Sequence, residues 1–117
     1  MIKSNKIIDY FRLMRFHTAA ATATPILIAA GIMGQKDLLL LSIIFIIGVL
    51  SHIYGFVLNE YGDLEVDKKA GYLREKPLVS GSITSKKALF LAIAACIIAF
   101  CLTIIFFPKP LTILFLL

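Results

Sequence analysis

Residues Asn59 to Gly81, NEYGDLEVDKKAGYLREKPLVSG, hold five of the seven acids of a chain that is otherwise largely apolar. Placed on an α-helix at about 100° per residue, Asn59, Glu60, Asp63 and Asp67 fall within an arc of roughly 100°, while Glu65 points to the other side. One face therefore carries three carboxylates and an amide. Carboxylates crowded in this way repel and raise one another's pKa, so such a face is stable at neutral pH when a cation or a basic partner lies against it. Oxygen-only donors suit a hard ion such as Mg²⁺, which commonly shares its coordination with a substrate phosphate. Asn59, Glu60, Asp63 and Asp67 are the expected metal ligands.

Asp63-x-Glu65-x-Asp67 has the spacing with which an EF-hand calcium loop begins, but Lys68 stands where the loop requires Gly and Arg74 where it requires a bidentate Glu. That reading fails. A solvated charged helix end explains acids near a membrane surface, but not their collection on one face. The bases that follow complete the chemistry. Mg²⁺ on Asp63 and Asp67 could bridge two phosphate oxygens of a diphosphate, while Arg74 and Lys76 neutralise the charge growing on the departing group. Such a site promotes ionisation of an allylic diphosphate, whose carbocation-like tail then requires a dry, apolar cavity.

The elements that must position these groups are apolar. Hydrophobic residues make up 60% of the 117-residue chain and the mean hydropathy is +0.94, beyond an ordinary soluble domain. Residues 38–58 and 88–107 are uncharged runs long enough to cross a bilayer as helices, and 18–34 is a shorter one. Three such runs leave no amphipathic shell to cover them. The expected fold is all-α: a multi-pass transmembrane bundle with three full spans and, after a turn at Pro108-Lys109-Pro110, the start of a fourth at Leu111 to Leu117. Residues 1–17 mix Ile7, Ile8, Tyr10 and Phe11 with Lys6, Arg12 and Arg15, the pattern of a helix lying at the membrane interface. The small residues Ala19 to Ala23 open the first run instead of closing it, which favours a retained helix over a cleaved signal peptide.

The net charge of +5 is distributed by side of the membrane. Lys3, Lys6, Arg12 and Arg15 precede the first run, and Lys68, Lys69, Arg74, Lys76, Lys86 and Lys87 lie between the second and third; the alternate connections hold only Lys36 and Lys109. This asymmetry places the amino terminus and the 59–87 loop in the cytoplasm, with the lipid bilayer as the partner and no nucleic acid needed to explain the charge. Cys96 and Cys101, at i and i+5 inside the third run, read as small apolar fillers.

Counting back from Asn59, Gly48, His52, Gly55 and Phe56 project within about 60° of it, which continues the acidic face into the membrane as a stripe of small, polar and aromatic positions. His52 and Phe56 are expected to line a cavity there. An intramembrane His is a functional candidate, with a hydrogen-bonded structural role as the alternative. Gly62 suits close approach of another group, Pro77 and Gly81 break further helix, and Ser82 to Ser85 offer caps for the third span.

Asn59-x-x-x-Asp63-x-x-x-Asp67 followed by Lys76-Pro77-Leu78-Val79-Ser80-Gly81 resembles the first aspartate-rich motif and the following basic-Pro-Leu-Pro-Ser-Gly segment of the UbiA superfamily of intramembrane prenyltransferases. Arg12-Leu-Met-Arg15 ahead of an Ala/Thr-rich helix is similar to that family's opening. The resemblance implies the amino-terminal third of a nine-helix fold, with Asn59, Asp63 and Asp67 as the catalytic first Mg²⁺ and diphosphate site. It sets Lys76 where the family has a phosphate-binding Arg. Glu60 replaces the common Asp, Val79 replaces a Pro, and the second aspartate-rich motif has no counterpart, Glu75 being the only acid after Asp67. The implied activity is Mg²⁺-assisted transfer of an isoprenoid chain from a prenyl diphosphate to an aromatic or lipid hydrophobic acceptor. This portion is expected to be inactive unless the remaining helices come from a longer chain or a second one. The alternative is a non-catalytic membrane subunit or remnant that binds a partner or cations. Acceptor identity and prenyl length are not readable from the residues.

Overall fold

The computed structural model describes residues 5–109, and every regular element among them is helical. The helices are α1 (Lys6–Leu13), α2 (Ala19–Ile32), α3 (Leu38–Gly62), α4 (Leu64–Lys69), α5 (Pro77–Ser80) and α6 (Ser85–Phe106), with 3₁₀ turns at Phe16–Thr18 and Gly71–Leu73. Two of them, α3 with 25 residues and α6 with 22, are long and apolar enough to cross a membrane. The first apolar run is shorter than expected: α2 has 14 residues, about 21 Å of helix, and only the turn at Phe16–Thr18 extends it. The positive φ of Arg15 bends the chain immediately before that turn. The expected fourth run, Leu111 to Leu117, lies outside the described residues.

Local chemistry sets the helix ends. Asp37 caps α3 by accepting from the Leu39 amide at 2.9 Å, after Gly34 has ended the α2 segment in the left-handed conformation at φ 98°. Thr84 caps α6 by accepting from the Lys87 amide at 3.3 Å. Pro77 does not break structure as expected; it opens α5 at a first-turn position, where its missing N–H removes nothing, and Gly81 closes that helix at φ 81°.

Helix α3 is the middle rod, packed against α2 on one side and α6 on the other. The packing inverts the usual soluble pattern. Along α6 the buried positions are Ala88, Ala92, Ala95 and Ala99, while Phe90, Ile97, Ile98 and Ile105 are exposed. Small residues inward and large apolar ones outward is how helices associate in lipid, where backbones approach closely and bulky side chains meet acyl chains. The same logic joins α2 to α3. A Cβ on Gly48 would stand 2.9 Å from the Cβ of Ala23, closer than such atoms come, whereas one on Gly55 or Gly62 would meet nothing within 4 Å. Gly62 is therefore not a close-approach position; it lies in open space at the end of α3. At this end, Leu13 of α1, Val57 of α3, Leu78 of α5, and Ile83 and Ala88 beside them form one apolar cluster that seats the short helices on the long ones. The two long apolar helices and their outward-facing large side chains suit a membrane protein.

Gly48→Val is expected to force α2 and α3 apart and lower stability by about 1–3 kcal/mol, and Gly55→Ala to stay within about 0.5 kcal/mol of the parent. Thermal unfolding of the two variants in the same detergent checks the contrast.

Candidate active site

Helix α3 carries the site residues along its second half, and α4 continues them. The joint falls at Asp63, yet the amide of Asp63 still bonds to the carbonyl of Asn59 at 2.9 Å and that of Asp67 to the carbonyl of Asp63 at 2.8 Å. The four-residue step from 59 to 67 is thus kept across the joint, but the carboxylates have different surroundings. Glu60 and Asp67 are buried, whereas Asn59 and Asp63 are exposed.

The buried pair is held by bases. Lys76 Nζ lies 3.2 Å from Glu60 Oε2 and 3.2 Å from Asp67 Oδ2, so one ammonium bridges the end of α3 to α4. Arg15, from the segment between α1 and α2, donates from Nη2 to Glu60 Oε1 at 2.8 Å. Two acids and two bases make a neutral chain, Arg15–Glu60–Lys76–Asp67. Burial draws the Lys76 pKa down, but hydrogen bonds to Asp67 and Glu60 and their negative charges outweigh it, so the value ends above 10.5. Arg74 is elsewhere: exposed, with its Nε–H donating to the Gly71 carbonyl at 2.9 Å.

Below this cluster two open hollows meet at Thr22 and Phe56. One, of about 630 Å³, is lined by Arg12, Arg15, His17, Thr18, Ala21, Thr22 and Phe56. The other, of about 400 Å³, is lined by Thr22, Ile26, Gly48, Ser51, His52, Gly55, Phe56 and Asn59. The stripe read from the sequence, Gly48, His52, Gly55 and Phe56, is thus in contact with the second hollow, and Asn59 stands at its site end. The first is basic at its rim, the second mostly apolar.

Among the described residues no three His, Cys, Asp or Glu side chains come together closely enough to hold a metal ion. Of the four expected ligands, the structure brings Glu60 and Asp67 together through Lys76 and leaves Asn59 and Asp63 one turn apart on the exposed side. The donor chemistry suits a hard cation at Asn59 and Asp63, which offer oxygen and are paired with no base among the described residues, whereas both oxygens of Glu60 are taken by Arg15 and Lys76.

Several residues of this site were not marked by their spacing. Arg15 was only one of a set of basic residues. Asp9, buried in α1, accepts from the Ser82 hydroxyl and pairs with Arg12 at 3.5 Å; Lys6 bonds the Ser82 carbonyl, and Arg12 the Glu75 carbonyl at 2.8 Å. These bonds lay α1 across the 75–82 segment and carry Arg12 and Arg15 to the hollow. An acid in the first turn of a basic amphipathic helix was the available signal for Asp9.

The model of the UbiA prenyltransferase family matches residues 18–117, which include the acidic step on α3 and α4 and the basic segment after it; the chain belongs to that family. It is similar to a 4-hydroxybenzoate octaprenyltransferase of Shewanella piezotolerans, 35% identical over 112 residues that cover 89% of this chain and 38% of the relative. It is also similar to proteins of the same description from Shewanella amazonensis, 36% identical over 85% of this chain and 36% of the relative, and Methylococcus capsulatus, 35% identical over 81% and 34%. The chain thus spans less than two fifths of the length of these curated relatives. No solved structure matches it.

Lys76→Met leaves Glu60 and Asp67 with less compensation and is expected to destabilise the chain by about 1–3 kcal/mol at pH 8. Since the folded-state pKa of Lys76 lies above its unfolded value of 10.5, its contribution is full below 10.5 and fades as pH rises through the folded value. Melting curves of parent and variant, taken in detergent from pH 8 to 11.5, should keep a constant gap up to about pH 10 and converge above it.

Proposed function

We propose that the chain forms the amino-terminal portion of a prenyltransferase that moves an isoprenoid chain from its diphosphate to a hydrophobic acceptor of the hydroxybenzoate type. The observation that supports it best is the junction of a basic-rimmed hollow, with Arg12, Arg15 and His17, and an apolar one, with Ile26, Gly48, Gly55 and Phe56, directly beneath the acidic step. A prenyl diphosphate has the same polarity: an anionic head and a hydrocarbon tail.

In this reading Asn59, Asp63 and Asp67 would hold Mg²⁺, which when bound neutralises diphosphate charge as the allylic C–O bond breaks. The protein's own groups do the remainder. Arg12 and Arg15 receive the anionic end; Lys76, already balanced between Glu60 and Asp67, adds positive charge beside it; and Arg74 is near enough in sequence to join from its exposed turn. Phe56 and His52 wall the hollow that keeps water from the allylic cation. The chain crosses the bilayer more than once, with its amino terminus and the 59–87 loop in the cytoplasm, as the ten-to-two distribution of bases supports. The nine-helix fold is completed by helices from a longer chain or a second one, and the portion alone binds substrate without turning it over.

Membranes bearing the 117-residue chain alone, and membranes in which it is co-expressed with the carboxy-terminal helices of the Shewanella piezotolerans relative, provide the test. Pyrophosphate release from a prenyl diphosphate in the presence of 4-hydroxybenzoate is expected only from the co-expressed pair, only with Mg²⁺, and reduced at least 100-fold by Asp63→Ala. Release unaffected by Asp63→Ala contradicts the reading. The paired charges of Glu60 and Asp67 also suit a non-catalytic subunit, and co-expression without release favours that reading instead.

A further inference from the structure

The imidazole of His52 is buried, 2% exposed, in a membrane-length helix, and walling a hollow does not by itself require a polar ring there. Its bonds give it another task. His52, Phe56 and Glu60 stand at successive four-residue steps of α3, and all three engage one residue of the amino-terminal segment, Arg15. His52 Nε2 lies 3.0 Å from the Arg15 carbonyl; the Arg15 guanidinium carbon lies 4.9 Å above the centre of the Phe56 ring; and Arg15 Nη2 donates to Glu60 at 2.8 Å. One face of one helix thus holds an arginine by backbone, guanidinium plane and charge.

The protonation of the ring follows from its partners. A carbonyl oxygen only accepts, so Nε2 carries the hydrogen. In the tautomer with the hydrogen on Nε2, Nδ1 accepts from the Thr22 hydroxyl at 2.8 Å. The Phe56 ring, 4.5 Å away between centres, fixes its tilt. The target of Nε2–H is also unusual. Arg15 is the one non-glycine among the described residues with a positive φ, 48°, a conformation that L-residues avoid unless their surroundings impose it. Thr18 contributes through its amide at 3.0 Å and its hydroxyl at 2.8 Å, both to the same Arg15 carbonyl.

We propose that His52 is a positioning residue: its Nε2–H, with Thr22 behind it, holds the left-handed turn at Arg15 that aims the guanidinium across Phe56 onto Glu60 at the rim of the basic hollow. Loss of this bond, the one of the three to the carbonyl that comes from α3, loosens the left-handed turn from that helix and with it the hold on the Arg15 side chain. The proposal rests on the reading above in giving Arg15 the anionic end of the substrate, but the turn itself does not. A histidine that only fills space is replaceable by an apolar ring; one that holds a carbonyl is replaceable by another donor of similar reach.

The test uses the 117-residue chain in lipid nanodiscs with two independent readouts: modification of Arg15 by phenylglyoxal, followed by mass spectrometry, and binding of inorganic pyrophosphate. His52→Phe is expected to raise the modification rate and weaken pyrophosphate binding, each about fivefold, the equivalent of one net hydrogen bond. His52→Gln, whose side-chain N–H can reach the carbonyl, is expected to recover most of both. Arg15→Ala with His52→Phe should bind pyrophosphate no more weakly than Arg15→Ala alone. Should His52→Phe fail to fold, Thr22→Val, which removes the donor to Nδ1 and keeps the ring, serves in its place with the same directions of change. Nitrogen-15 spectra of the parent should show the Nε2–H tautomer. A ring protonated at Nδ1 instead, or Arg15 modified equally fast in parent and folded His52→Phe, overturns the proposal. Altered Arg15 reactivity with no pyrophosphate binding by the parent supports the positioning and overturns the anion-binding role of Arg15.

Discussion

Two buried carboxylates, one at the end of a membrane-length helix and one on the short helix after it, impose the arrangement of the groups around them. Glu60 and Asp67 have given up most of their water, and an unpaired charge in that position would cost several kcal/mol. The chain supplies one compensating base from each side: Arg15 from before α2, Lys76 from after α4. Both must arrive at the same place, so the turn at Arg15 and the return of the 70–77 segment are set by one electrostatic requirement. Together with the apolar cluster around Leu13, Val57 and Leu78, it locates the short helices.

The long helices meet a different constraint. In hydrocarbon there is no gain from burying a large apolar side chain against another, so α6 turns its alanines to α3 and its Phe and Ile residues outward. Gly48 against Ala23 brings α2 as near to α3 as two backbones allow. That closeness puts Thr18 and Thr22 within reach of His52 on the neighbouring helix. Tight packing of small residues and the polar contacts within the span are thus one geometric fact: the hydroxyls find the imidazole because nothing bulky separates the rods.

Much of this was legible in the residues. The two long apolar runs, the capping positions at Asp37 and Thr84, and the family implied by the acidic step and the Lys76-Pro77 segment could be read directly, since each depends on local pattern. The length of α2 could not, because the bend at Arg15 that shortens it is held by His52, 37 residues on. Nor could the separation of Asn59 and Asp63 from Glu60 and Asp67. A helical wheel shows which residues share an arc, but not which of them a lysine nine residues after Asp67 will draw in. Arg74 and Lys76 differ by two residues and looked equivalent; one turns back to its own loop, the other closes the cluster. Asp9 escaped notice because its partner, Ser82, is 73 residues away.

That last separation bears on the order of assembly. The bonds from Lys6, Asp9 and Arg12 reach Ser82 and Glu75 across 76, 73 and 63 residues of chain. During synthesis α1 precedes the 75–82 segment on which it docks, and α2 and α3 come between the two. Its exposed Ile7, Ile8 and Phe11 give it a resting place on the lipid surface in the meantime. The amino-terminal helix cannot be locked before residue 82 has been made, and its docking brings Arg12 and Arg15 to the basic rim.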